Sequence, residues 1–505
     1  MILELNRESL VPLYAQIVLK IREMITSGSL KIGDRLPANR DLARRLGVNR
    51  TTVTTAYADL VADGLITSHV GRGTFVSGVP PRDRTPRPEQ RHVPAVQWDT
   101  LLVPETRDRW LGSMWRFQPN KESISLGHAL PQAELFPLDE FRRSIDRVLR
   151  REGRSLLQLG ASNGYEPLLD YIASQMSLVG VQVKPGEILI TNGCQQSLDL
   201  IRRVLVGPGE EVVVENPTYP GALSLFCGRD AKYISVPIDA QGLDLDALED
   251  IMVQRRPKLI YTVPSFHNPT GLTMNLASRR RLAEMVARLR VPMIEDDIYG
   301  ELRFEGASLP PIKAMDSSGL VLYINSFSKM GFPGLRLGWI VAPGVVIERL
   351  NDAKVRCDLH TSTLAQAAVY EFSRQGLFAR HLRRVRKAYA ARRDAMLQAL
   401  DEHLSDIATW TRPEGGMSIW VRLPEQVNAA ELLPQAAEAG VLFTPGDRFY
   451  SSLPKQNMMR LCFTMAAPDR IGEGIKRLAE LIRQRVEAAF SRGAASRAEA
   501  GRALV

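Results

Sequence analysis

Apolar residues recur every fourth position near the start of the chain. Leu13, Ile17, Ile21 and Ile25 share one face of PLYAQIVLKIREMITSG, which predicts an amphipathic helix opened by Pro12 and ended by Gly28. KIGDRLP reads as a turn. In NRDLARRLGVNRTTVTTAYADLVADGL, Leu42 and Leu46 form one stripe and Gly47 breaks the chain. Val53, Tyr57 and Leu60 form a second stripe behind Asn49, a helix-capping residue type. The pattern is helix, turn, helix. ITSHVGRGTFV adds two short β-prone pieces around Gly71-Arg72-Gly73, a small hairpin. Residues 1–78 are expected to fold as one compact domain.

The character changes at residues 79–120. Five prolines between Pro80 and Pro94 stand among charged side chains such as Arg82, Asp83 and Arg84, a composition that predicts a linker. Trp98, Trp110 and Trp115 suggest that its later part docks on a domain. From 121 to 490 short apolar runs alternate with longer helical stretches. EILIT, EVVVE, AKYISVP, KLIYTVP, VPMIED and LVLYINS are near-continuous apolar strands. Such strands fit a mostly parallel sheet covered on both faces, an α/β fold. Residues 491–505, rich in Ala, Arg, Ser and Gly, are expected to form a frayed tail.

Composition narrows the class. A length of 505 residues allows two or more domains with ample core, and 45% hydrophobic with 24% charged residues excludes bulk disorder and fibrous architectures. The formal net charge of +9 permits a polyanionic partner without requiring one. Cys194, Cys227, Cys357 and Cys462 show no C-x-x-C spacing, so neither a disulfide framework nor a cysteine-rich zinc site is expected. The first residues carry no basic stretch followed by an apolar core, and no apolar run reaches the ~18–20 residues of a membrane span. A reduced, cytoplasmic protein is expected.

A second helix of this kind is narrow enough to enter the DNA major groove with its first residues against base edges. Here those are Asn49-Arg50-Thr51-Thr52. Arg50 suits a guanine, and Thr51 and Thr52 suit phosphates or a thymine methyl. Arg40 would face the DNA backbone, and Arg72 in the hairpin would reach the minor groove. A solvated basic face and ordinary first-turn threonines are the competing readings. The string from PLYAQIVLKIREMI through GDRLPANRDLARRLGVNRTTVTTAYADLVADGLI to GRGTFV resembles the winged helix-turn-helix of GntR-type regulators. That resemblance implies binding to double-stranded DNA as a dimer, with Arg40, Arg50, Thr52 and Arg72 on contact positions.

The second chemistry lies in NSFSKMGFPGLRLGW, residues 325–339. Lys329 stands beside Ser326 and Ser328, with Arg336 seven residues on. A lysine that forms a Schiff base must lose its proton, which burial and nearby positive charge favour. A phosphate beside it requires hydroxyls, backbone N–H groups and an arginine. Pyridoxal 5'-phosphate further requires a carboxylate at its ring nitrogen. VPMIEDDIYGE ends a strand with Asp296, Asp297 and then Tyr299; either aspartate fits. Tyr299 and Asn268, in SFHNPTG, suit the 3'-oxygen. The backbone at Cys194 and Gln195 opens a helix after a strand and suits phosphate. Tyr219, in ENPTYPG, suits stacking on the ring. Singly, each has a plain packing or turn reading. Their order resembles that of fold-type I aminotransferases over roughly 120–485.

That resemblance implies a mostly parallel central sheet with a small C-terminal α+β subdomain. It also implies Lys329 as the covalent anchor of the cofactor, Asp296 at the pyridine nitrogen with Asp297 as the alternative, and Tyr299 and Asn268 at the 3'-oxygen. Cys194, Gln195, Ser326, Ser328 and Arg336 would bind phosphate, and Arg460, in MMRLCFT, an effector carboxylate. Leu159 stands where relatives often carry a tyrosine, and Asp170 where an arginine is common. The basic stretch RHLRRVRKAYAARRD at 380–394 reads as a solvated helix face or a second DNA surface. The join of both modules resembles the MocR-type subgroup of GntR regulators, which implies a pyridoxal-phosphate-dependent regulator sensing an amine, amino acid or vitamin B6 compound. A head-to-tail homodimer is expected. A working aminotransferase with an appended DNA-binding module is the alternative, and a mere dimerisation scaffold the third reading.

Overall fold

The computed structural model describes residues 3, 5–7, 9, 11–69, 72–78, 98–101, 123–226 and 231–502, without the side chains of 99–100 and 489–502. The chain divides into two compact units, Met1–Leu101 and Leu102–Val505. Most of the expected linker, Trp110, Trp115, Gly71, Cys227 and residues 503–505 lie outside the described residues.

In the first unit α1 (Leu13–Thr26) and α2 (Asn39–Leu46) both pack on α3 (Arg50–Ala62). Ile17, Ile21, Leu42, Val53 and Leu60 are its fully enclosed core. At ~25 cal/mol per Å² of apolar surface, a buried Leu or Ile contributes about 1.5–3 kcal/mol. The α2–α3 turn follows from two residues. Gly47 sits at φ 62°, where a side chain is strained, and the Asn49 side chain accepts from the Thr51 N–H at 3.1 Å. Thr54 accepts from Asn39 Nδ2 at 3.1 Å and ties α3 to α2. The hairpin is present as β2 (Ile66–His69) and β3 (Gly73–Val76), paired antiparallel. KIGDRLP, expected as a turn, also contributes β1 (Arg35–Leu36), which pairs with β3 and completes a three-stranded wing. Helix α4 (Trp98–Leu101) closes the unit.

The second unit begins with β4 (Ile124–Ser125), followed by α5 (Leu138–Glu152) and α6 (Glu166–Leu178). Then strands and helices alternate: β5 (Ile188–Thr191), α7 (Cys194–Leu205), β6 (Glu211–Asn216), α8 (Pro220–Phe226), β7 (Lys232–Asp239), β8 (Gly242–Leu243), α9 (Leu245–Arg255), β9 (Leu259–Thr262), α10 (Leu276–Leu289), β10 (Met293–Asp296), β11 (Val321–Ser326) and β12 (Gly338–Val341). All six apolar runs are strands. The sheet order is β5-β12-β11-β10-β9-β6-β7-β8. Strands β7, β6, β9, β10 and β11 are mutually parallel neighbours. β12 runs antiparallel between β11 and β5; it is not among the six runs singled out, although its Trp339, Ile340 and Val341 are β-prone residue types.

Beyond the sheet lie α11 (Gly344–Asp358), α12 (Thr363–Arg374) and the 28-residue α13 (Leu377–Leu404). The C-terminal α+β portion holds β13 (Thr409–Trp410), β14 (Ser418–Arg422), α14 (Ala429–Glu438), β15 (Val441–Leu442), β16 (Thr444–Pro445), β17 (Met458–Cys462) and α15 (Pro468–Arg502). β4 pairs in parallel with β15, so the segment after the linker enters this portion directly. Two sequence expectations change. The frayed tail from Ser491 is helical through Arg502. The basic stretch at 380–394 divides: Arg380, Arg383, Arg384 and Lys387 are exposed, as a solvated face would be, while the others turn inwards. Arg386 pairs with Glu301, Arg393 with Glu305 and Asp394, and Arg392 donates to Thr464 O, because α13 packs along the subdomain junction. No helix among the described residues is long and apolar enough to cross a membrane.

Candidate functional site

Parallel strands present their carboxyl ends to one edge, and residues just past those ends converge there. Asp296 ends β10, Ser326 ends β11, Cys194 follows β5, and Asn268 follows β9. One cleft is lined by Tyr219, Cys194, Gln195, Asn268, Asp296, Tyr299, Ser326, Ser328, Lys329, Arg336 and Arg460. Every residue singled out for the cofactor and the effector carboxylate is therefore brought together. With its open mouth the cleft holds about 970 Å³, within the ~300–1,000 Å³ of small-molecule sites.

Lys329 follows β11, and its Nζ donates to the carbonyl of Ala129 at 2.7 Å. Burial, with Arg460 nearby, lowers its pKa to about 8. The doubled acid resolves by strand alternation: successive residues face opposite sides. Asp296 faces the cleft and is 3% exposed. Asp297 turns away to accept from the Tyr323 hydroxyl at 3.1 Å. Burial pushes Asp296 up to about 7, against hydrogen bonds from the Tyr261 hydroxyl (2.9 Å, to Oδ2) and the Ile298 N–H (3.3 Å, to Oδ1) that favour its charged form.

The phosphate-type donors lie at the other end. Gln196 N–H already bonds Gly193 O at 3.0 Å, so the helix-opening N–H groups of Cys194 and Gln195 precede the first intrahelical bond. The Gln195 side chain is occupied, with its amide on Gly221 O and its oxygen accepting from Tyr219. Burial pushes the Tyr219 hydroxyl up to about 12, Tyr299 also upwards, and the Cys194 thiol well above its usual range, so the thiol stays protonated. The Ser326 Oγ accepts from the Ser328 N–H at 2.9 Å. Arg336 is at φ 54°, holds Asn192 O at 3.2 Å, and leans over Gly193, where a Cβ would lie 2.6 Å from its Nη2. A side chain at position 193 would collide with that guanidinium.

Arg460, 2% exposed, donates to Asn268 Oδ1 and to Gly127 O, each at 2.8 Å, and its buried Nε has no partner. Lys329, Arg336 and Arg460 thus put three cations opposite one carboxylate that is easily protonated. Uncompensated cations in a low-dielectric cleft are costly. A ligand with a phosphate, a carboxylate and a protonated ring nitrogen balances each of them, so the donor set fits pyridoxal 5'-phosphate with an amino acid.

Sequence reasoning missed Tyr261, whose place in KLIYT looks like ordinary strand packing. It also missed His128, Ala129 and Leu130, which close one side of the cleft. Nothing in GHALP marks them.

In the first unit Arg40, Arg50, Thr51 and Arg72 are exposed and Thr52 is half-buried. Arg50, Thr51 and Thr52 occupy the first turn of α3. Arg72 directly precedes β3, its N–H bonded to His69 O at 3.1 Å. Among the described residues no cluster of three or more His, Cys, Asp or Glu suits a metal ion.

Comparison with known proteins gives two family matches: aminotransferase class I and II over residues 125–478, and bacterial regulatory proteins, gntR family, over residues 13–76. Aromatic-amino-acid aminotransferase 1 of Thermococcus litoralis is 39% identical over 370 residues, 72% of this chain and 89% of that protein. The probable rhizopine catabolism regulatory protein MocR of Rhizobium meliloti is 32% identical over 480 residues, 94% of this chain and 95% of that protein. The crystal structure of LysN, alpha-aminoadipate aminotransferase from Thermus thermophilus complexed with N-(5'-phosphopyridoxyl)-L-leucine, superposes with a TM-score of 0.72. It is 35% identical and covers 78% of this chain and 100% of that one.

Proposed function

The chain belongs to the MocR-type group of GntR-family regulators, in which a gntR-family DNA-binding domain is joined to an aminotransferase class I and II domain, and from this premise we propose that it is a transcription regulator whose aminotransferase-type unit senses an amine or amino acid through pyridoxal 5'-phosphate. The observation that carries the reading is the half-buried Lys329 amine, its pKa lowered to about 8, in one cleft with Asp296, Arg336 and Arg460.

When bound, the cofactor supplies an aldehyde for primary amines and a ring that accepts electrons. The chain's own groups do the rest. Lys329 anchors the cofactor and holds or releases a proton at Nζ. Asp296 pairs with the ring nitrogen. Tyr299 and Asn268 hold the 3'-oxygen, and Tyr219 covers the ring. The N–H groups of Cys194 and Gln195, with Ser326, Ser328 and Arg336, hold the phosphate. Arg460 grips the effector carboxylate, for which a planar guanidinium is suited.

The route to the DNA starts at the strap Gly127–Leu130. Lys329 holds Ala129 O and Arg460 holds Gly127 O, so the two groups that would engage the cofactor and the effector also hold this segment. The strap follows β4 and hence the linker. Ligands that compete for those donors shift the strap's equilibrium by their differential affinity. Arg50 reads bases; Arg40, Thr51, Thr52 and Arg72 contact the backbone and grooves. The exposed Leu157, Leu159 and Leu359 offer apolar surface for a head-to-tail homodimer of the second unit. A DNA-binding role supports a cytoplasmic location.

The test uses the full chain with pyridoxal 5'-phosphate. Borohydride reduction is expected to leave a pyridoxyl mass adduct on Lys329, and candidate amino acids should change operator affinity. An unmodified Lys329, or operator affinity indifferent to every amine, overturns the reading. A second reading, a working aminotransferase, is favoured by the 39% identity to an aromatic-amino-acid aminotransferase. Fast multiple turnover with an amino acid and a keto acid would establish it.

A further inference from the structure

The turn that opens α7 is held from behind by a pair that no part of the site accounts for. Lys354 on α11 is fully buried, and its Nζ donates to Asp358 Oδ1 at 2.7 Å, one helical turn on. The other carboxylate oxygen, Oδ2, accepts from Asn192 Nδ2 at 2.5 Å and Gln196 Nε2 at 2.6 Å. The Gln196 oxygen in turn accepts from the Asn192 backbone N–H at 2.7 Å. These bonds close a ring around Gly193, Cys194 and Gln195. From the opposite side Arg336 holds Asn192 O at 3.2 Å.

We propose that Lys354 and Asp358 are positioning residues for the phosphate cup: the carboxylate turns both flanking side-chain amides away from the cleft and leaves the N–H groups of Cys194 and Gln195 aimed into it. The inference rests on the reading that the cleft takes pyridoxal 5'-phosphate. The physical argument has three parts. A carboxylate has room for several donors, and here three are supplied, so Asn192 and Gln196 have no reason to swing inwards. Ordering a backbone residue costs roughly 1–2 kcal/mol, so a turn ordered beforehand binds an anion without that cost. The half-buried carboxylate is the counter-charge that makes the fully buried lysine tolerable. The pair touches neither phosphate nor ring. Its loss should weaken recognition of the phosphate specifically.

The experiment measures equilibrium dialysis of full-length apoprotein with pyridoxal 5'-phosphate and, separately, with pyridoxal, which lacks the phosphate. Asp358→Asn removes the charge but strands Lys354. A second variant, Lys354→Met together with Asp358→Leu, removes both charges and fills the space. Thermal midpoints of the apoproteins report on folding. In the double variant the dissociation constant for pyridoxal 5'-phosphate is expected to rise about tenfold or more, the loss of one or two hydrogen bonds to a charged group. Pyridoxal should bind as it does to the parent. Parallel weakening of both ligands, or full affinity for the phosphorylated ligand in a folded double variant, overturns the proposal while the cofactor reading stands. A parent protein that binds the two ligands equally overturns that reading and this proposal together.

Discussion

Arg460 donates through Nη1 to Oδ1 of Asn268 across 2.8 Å, and this one bond orients the amide. With its oxygen committed to the guanidinium, the Asn268 side chain directs its NH₂ the other way, where it acts only as a donor. The residue read as gripping the effector carboxylate thereby sets the hydrogen-bonding face of the residue read as holding the cofactor's 3'-oxygen.

Arg460→Lys should separate the two roles. Lysine keeps the charge but loses the planar fork, so affinity for an amino-acid effector is expected to fall at least tenfold, about 1.4 kcal/mol, while the borohydride adduct at Lys329 still forms. Isothermal titration with the effector and mass spectrometry of the reduced protein measure both.

Lys329 makes a pH prediction. Its folded pKa lies near 8, below the 10.5 of an unfolded lysine, so the folded state binds fewer protons between those values. The apoprotein should therefore gain stability as pH rises from about 8 to 10.5, by up to about 3 kcal/mol, and lack that gain below 8. The rate of cofactor attachment should rise with the neutral amine through the same region around pH 8. In Lys329→Met both dependences should vanish, as stopped-flow absorbance and thermal melts at several pH values would report.

Tyr261 is the group sequence reading passed over, and removing its hydroxyl tests whether it matters. Tyr261→Phe deletes one hydrogen bond to the Asp296 carboxylate, which favours the protonated acid. The pKa of Asp296, near 7, is expected to move upwards, with a stability loss of about 1–1.5 kcal/mol above that pH. Difference infrared spectra of the carboxyl stretch across pH 6–9 would show the shift; an unmoved titration argues against the coupling.

On the DNA side, Arg50→Ala should relax selectivity at one base pair by about 1–3 kcal/mol, whereas Arg40→Ala should weaken binding to all sequences and lower the salt slope by about one. Fluorescence anisotropy with operator and scrambled duplexes over a salt series tells the two apart. Full selectivity in Arg50→Ala would remove it as a base reader.

Much of the molecule is legible from its chain because the relevant signals are local. The helix-turn-helix follows from apolar steps of four, Gly47 and the Asn49 cap. Six strands follow from short apolar runs, and Lys329, Asn268, Tyr299 and Arg336 from residue types at strand ends. Other features were settled by folding alone. Which of Asp296 and Asp297 faces the cleft depends on which side of β10 the helices leave open. β12 has a β-prone composition in Trp339, Ile340 and Val341, but only folding sets its antiparallel place between β5 and β11. Tyr261 reaches Asp296 across 35 positions, Arg460 reaches Asn268 across 192, and Lys329 reaches Ala129 across 200. Periodicity records how a residue meets its own helix or strand. It carries no term for a partner brought near by the crossing of distant strands, and at those crossings the site acquires its charges and its orientation.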